Sequence, residues 1–111
     1  MTDDARVFSA LKATGLKGTK FNWPVGKAPP LPWFIYFRNR GGEEFADNDN
    51  YFQFSRYVAE LYVKENDPDL AEAFGRAVRT LGPFSRREEW LDSEGCMVYR
   101  FQFTLTPERG A

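Results

Sequence analysis

Oxygen-bearing side chains crowd the middle of this chain: Glu43-Glu44, then Asp47-Asn48-Asp49-Asn50. Such a stretch is what a hard cation such as calcium requires. Asp47 could open a calcium loop, but Phe52 stands where the sharp turn needs glycine and Val58 where a bidentate glutamate belongs. A solvated turn whose Asp and Asn side chains bond their own backbone is the better reading. Gly15-Leu16-Lys17-Gly18-Thr19-Lys20 has the composition of a phosphate loop. Its Lys-Thr order is reversed, and the segment follows a predicted helix instead of opening one, so a helix cap and turn is expected. The chain has no histidine, which removes the commonest general base and any Ser-His or Cys-His pair. No lysine has an acidic residue two positions before it, as a nuclease-type Glu/Asp-x-Lys triplet requires. Cys96, the single thiol, opens an apolar strand and reads as a small core residue. The chain therefore reads as a protein that is not an enzyme, with no cofactor and no metal.

Two aromatic runs, Tyr51-Phe52-Gln53-Phe54 and Phe101-Gln102-Phe103, could stack bases of single-stranded nucleic acid. Core packing explains the second run better. In the first, Phe52 and Phe54 share a face with Arg56 and Lys64, which points to a protein interface. Arg76 and Arg79 with Glu72, followed by Arg86-Arg87, read as a solvated face.

The elements that must position these residues follow from caps and periodicity. Thr2 is the expected N-cap of a helix over 3–14, with Asp3 and Asp4 at the positive end of its dipole and Gly15 closing it. Residues 16–32 are rich in Gly and Pro and read as loop, with at most a short edge strand around Lys20–Trp23. Trp33–Arg38 is a strand apolar on both faces near its start, hence central. A polar loop spans Asn39–Asn50, and 51–64 reads as a long strand with Tyr57, Ala59, Leu61 and Val63 on one face. Asp67 caps a second helix and Pro68 takes its first position. Leu70, Phe74, Ala77, Val78 and Leu81 form the helix's buried stripe, and Gly82-Pro83 ends it. Arg86–Asp92 and Met97–Thr106 form a hairpin around Ser93-Glu94-Gly95, and the tail 107–111 reads as frayed. The expected fold is α+β: an antiparallel four- to five-stranded sheet with two helices on one face, in the order α-(β)-β-β-α-β-β.

Length and composition bound the rest. With 111 residues the chain is one domain, and its core must be aromatic, given 11 Phe, 5 Tyr and 3 Trp. The formal net charge of −1 gives no global attraction to nucleic acid and little self-repulsion between copies. One cysteine excludes an intramolecular disulfide. The acidic N-terminus lacks the apolar segment of a signal peptide, and the apolar run Trp33–Phe37 is far short of a membrane span. These features imply a chain made in the cytoplasm, with no membrane partner.

Several segments in order carry a resemblance. They are Pro29-Pro30-Leu31-Pro32-Trp33-Phe34-Ile35-Tyr36, Ala46-Asp47-Asn48, Glu60-Leu61-Tyr62, Asn66-Asp67-Pro68-Asp69-Leu70, and Trp90-Leu91-Asp92-Ser93-Glu94 running into Tyr99. Across residues 30–106 their order and spacing resemble small tail-completion proteins of long-tailed phages and prophages, the tail terminator-like or tail-to-head joining proteins. The resemblance implies a virion structural protein at the head-proximal end of the tail, present in the host cytoplasm during assembly. Such a protein forms a homo-oligomeric ring, typically a hexamer, that caps the tail tube. It meets the major tail tube protein and the head connector or stopper, with DNA passing through without specific recognition. An antiparallel sheet with an open edge can be extended across subunits in this way. On this view the contacts fall on the central loop and the start of the next strand: Arg40, Glu43, Glu44, Phe45, Asp47, Asp49, Phe52 and Phe54. The alternatives are another neck or head-completion protein, or a small nucleic-acid-binding or regulatory module.

Overall fold

A computed structural model of the chain describes residues 2–39 and 55–107. The elements are α1 (Asp3–Lys12), β1 (Lys17–Lys20), β2 (Trp33–Arg38), β3 (Arg56–Val63), α2 (Pro68–Arg79), β4 (Phe84–Leu91) and β5 (Cys96–Thr104). The strands make one sheet in the order β1-β2-β3-β5-β4. From β3 the chain climbs through α2, reaches the outer edge as β4, and hairpins back as β5 into the place beside β3.

Both helix starts are set locally. Thr2 Oγ1 accepts from the Ala5 N–H at 3.0 Å, and Asp67 Oδ1 accepts from the Leu70 N–H at 3.2 Å. Each bond satisfies a donor that has no partner within the helix. Gly15, at φ +91°, turns the chain after α1, a conformation glycine adopts without strain. The helices end at Lys12 and Arg79, a turn or less before the breakers that the sequence points to.

One expectation is corrected. The sheet is mixed, because β1 runs parallel to β2, and it occupies Lys17–Lys20 instead of Lys20–Trp23. Parallel neighbours need a crossover of roughly a dozen residues or more, and residues 21–32 supply it. Phe21 ends β1 in the left-handed region, at φ +69°. Gly18 in β1 lies under the Phe34 ring, where a Cβ would come within 2.1 Å of ring carbon, so the Phe34 ring occupies the space a side chain would need. The other pairs are antiparallel.

Register assigns the two faces. Phe34, Tyr36, Tyr57, Ala59, Leu61, Val63, Tyr99, Phe101 and Phe103 lie on one face. They form one buried cluster with Val7 and Leu11 of α1 and Ala71, Phe74 and Val78 of α2. Both helices therefore cover the same face. Phe74 sits at the centre, with ring centroids 5.6 Å from Phe34 and 5.4 Å from Phe101. The stripe of α2 is centred on Ala71, Phe74, Gly75 and Val78, with Leu70 and Ala77 at its flanks. The tail beyond Pro107 and the expected strand residues 51–54 lie outside the described residues.

Candidate interaction surfaces

Arg40, Glu43, Glu44, Phe45, Asp47, Asp49, Phe52 and Phe54 all lie outside the described residues. The described chain on either side of them is tied to the start of α1. The Asn39 N–H donates to the Arg56 carbonyl at 2.7 Å. Ser55 Oγ donates to Asp3 Oδ2 at 2.8 Å and accepts from Arg38 Nη2 at 3.2 Å. The Tyr57 hydroxyl donates to Asp4 Oδ1 at 2.5 Å, while Lys20 Nζ reaches Asp4 Oδ2 at 2.6 Å. The Lys20 ammonium and the Tyr57 hydroxyl hold the Asp4 carboxyl below the usual carboxylate range. Burial, then the bond to Asp4, pushes the Tyr57 hydroxyl far up. Asp3 and Asp4 thus serve two purposes, complementing the helix dipole and anchoring the ends of β2 and β3.

The face that neither α1 nor α2 covers is strongly aromatic. Trp33 packs on Tyr62 at 4.6 Å between ring centroids, Trp23 meets Trp33 edge-on at 5.8 Å, and Phe21 stacks on Phe37 at 6.2 Å. Side chains from the 21–32 crossover thus lie on this face. A groove of about 440 Å³ is lined by Leu31, Trp33, Ile35, Tyr62, Leu91 and Cys96. Cys96 is buried there, and burial, reinforced by the Glu94 carboxylate, pushes its thiol up, away from the reactive thiolate.

Beside the groove is the one charged side chain among the described residues that is buried, Glu60. Its carboxylate accepts from Arg100 Nε at 2.7 Å and from the Tyr62 hydroxyl at 2.8 Å. Glu89 stands 3.6 Å from Arg100 Nη1. Burial first, then the bond to Glu60, drives the Tyr62 hydroxyl far up. The sequence shows Glu60 alternating with apolar residues, and the cross-strand register supplies its partner, since Glu60 lies directly opposite Arg100.

Arg76, Arg79 and Arg86 line one shallow pocket of about 260 Å³ together with Glu72, whose carboxylate offsets part of their charge. Arg86 lies 3.7 Å from both Glu72 and Glu88, and Arg79 rests over the Phe84 ring. Gly15–Lys20 is a helix end running into an edge strand. Phe101 and Phe103 are buried under the helices, as the packing reading expects. Among the described residues no group of three or more His, Cys, Asp or Glu side chains is placed to hold a metal ion, and no helix is long and apolar enough to cross a membrane. No family model, curated protein or solved structure matches this chain.

One further contact joins two distant segments. The Tyr99 hydroxyl donates to Asn66 Oδ1 and accepts from the Asp67 N–H at 2.9 Å. It thereby locks the start of α2 onto the middle of β5.

Proposed function

We propose that this chain acts by assembly: it is a tail terminator or tail-completion protein of a long-tailed phage or prophage. It caps the tail tube as a homo-oligomeric ring and joins it to the head connector. The observation that carries the reading is the way the segments bearing the resemblance depend on one another. Tyr99 grips Asn66 and Asp67, Trp33 packs on Tyr62, and Trp90 and Leu91 pair with Met97 and Cys96 at the hairpin end. These contacts tie the segments that carry the resemblance into one packed unit. The outer side of β4, with which no strand pairs among the described residues, and the aromatic groove on the face that α1 and α2 leave uncovered add surfaces that can meet neighbours.

The test is the coding neighbourhood of this chain and, where it holds a tail tube protein, co-sedimentation with tubes made from that protein. Binding that saturates at a few copies per tube is the expected result. Failure to bind those tubes, or a coding neighbourhood free of tail and head genes, would remove the reading.

A further inference from the structure

The two edges of the sheet are protected differently. β1 is short and ends in Lys17 and Lys20, a single sign of charge that repels any incoming copy of itself. β4 has eight residues, Phe84-Ser85-Arg86-Arg87-Glu88-Glu89-Trp90-Leu91, mostly exposed, and among the described residues no strand pairs with its outer side. Alternate N–H and C=O groups along it point away from β5. Its charges sum to zero and run from positive to negative, so they oppose neither a neutral strand nor a reversed copy of the same strand.

We propose that the free chain forms a two-fold dimer by antiparallel pairing of β4 with β4 of a second copy, with Arg87 at the dyad. A two-fold axis normal to the sheet keeps each face on its own side, so only residues of one face can stand opposite each other. On the helix side this register sets Arg86 opposite the partner's Glu88, twice, and Phe84 opposite the partner's Trp90, twice. Opposite charges and aromatic pairs are the cross-strand combinations that stabilise a sheet. Trp90, half exposed in the single chain, gains an aromatic neighbour. On the other face Ser85 stands opposite the partner's Glu89. Arg87 meets its own copy, with the partner's Glu89 diagonally adjacent to it. Moving the register by two residues sets Glu88 against Glu88 and Arg87 against Glu89, twice, the same balance of charge, but leaves Phe84 and Trp90 without their aromatic partners, so the aromatic pairs decide the register. The pairing closes at two copies. It goes beyond the ring reading and does not depend on it, since a ring is built from head-to-tail contacts.

Sedimentation of the full chain over a range of concentrations tests this. A monomer–dimer equilibrium is expected, weakened at least tenfold by either Arg86→Glu or Glu88→Arg. An equimolar mixture of the two variants restores the dimer, because each reversed charge then faces its opposite, and the double variant restores it alone. Circular dichroism checks that each variant is folded. Independently of any variant, amide exchange across residues 84–90 slows as wild-type concentration rises. A wild type that stays monomeric, a dimer indifferent to both reversals, or amide exchange that does not change with concentration would overturn the proposal. Rescue by reversals at Arg87 and Glu89 in place of Arg86 and Glu88 would overturn the assigned register.

Discussion

The two faces of the sheet bury their side chains by different means. On one face α1 and α2 lie over an uninterrupted apolar cluster centred on Phe34, Phe74 and Phe101. On the other, which neither α1 nor α2 covers, Ile35, Val58 and Val98 are buried beside the Glu60–Arg100 pair, while Trp23 packs on Trp33. The first face is held mainly by shape and area, with the Tyr57 and Tyr99 hydroxyls tied to Asp4 and to Asn66 and Asp67. The second mixes aromatic cover with a charge pair that must stay hydrogen-bonded to be tolerated. Damage to the centre of the first should be felt as the largest loss of stability and damage to the second as smaller losses, while dependence on pH comes from the Asp4–Tyr57 link on the first and the Glu60–Tyr62 link on the second.

The largest effect should come from the helix-covered face. Phe74→Ala and Phe101→Ala each remove a fully buried ring and leave a cavity, at a cost of about 3–5 kcal/mol. Against a total of roughly 5–15 kcal/mol for a small domain, either variant should come near to unfolding, which denaturant melts will measure. A loss below about 1 kcal/mol would show that the rings are not the centre of the core. On the other face, Glu60→Ala leaves Arg100 Nε and the Tyr62 hydroxyl without their shared acceptor. Because Arg100 is partly exposed, the expected loss is about 1.5–3 kcal/mol. Cys96→Ser places a hydroxyl in the same buried surroundings and should cost about 1–3 kcal/mol. A folded Cys96→Ser protein that lost a specific activity would contradict a role in assembly alone.

The smallest effects are in pH. The hydroxyls of Tyr57 and Tyr62 are both raised by folding, so the folded state holds those protons more tightly. Their contribution is fully present below the ordinary tyrosine value near 10 and is lost as pH rises towards the folded values. Asp4 has the opposite sign. Its folded value is lowered, so its contribution is present above 3.8 and is lost as pH falls through the folded value. Melting midpoints should therefore fall at both ends of the pH range. Tyr62→Phe should flatten the alkaline limb and Asp4→Asn the acid limb, with no exchange of roles between them.

The residues explain how much of this is legible in the sequence. Thr2, Asp67 and Pro68 announce helix starts because capping is settled within a few positions. The alternation of β5 is legible around Phe101-Gln102-Phe103, where the two rings are buried and Gln102 is exposed, although Cys96 and Val98 nearer its start are buried on the other face. The position and direction of β1 are not legible, since four residues of mixed character carry no period and their partner lies beyond a long crossover. Glu60 looks like a solvent-facing residue until Arg100 is brought opposite it, and nothing local in either strand announces that meeting. The residues expected to make the intersubunit contacts fall in 40–54, and the structure speaks only for their flanks, where Asp3 and Asp4 hold Ser55 and Tyr57.

Electron microscopy of tail tubes assembled with and without this chain is the most direct test of assembly as its function. A ring of density at one end of each tube is expected, with tubes that stop growing once it is in place. Bare tube ends and continued growth in the presence of folded protein would contradict it.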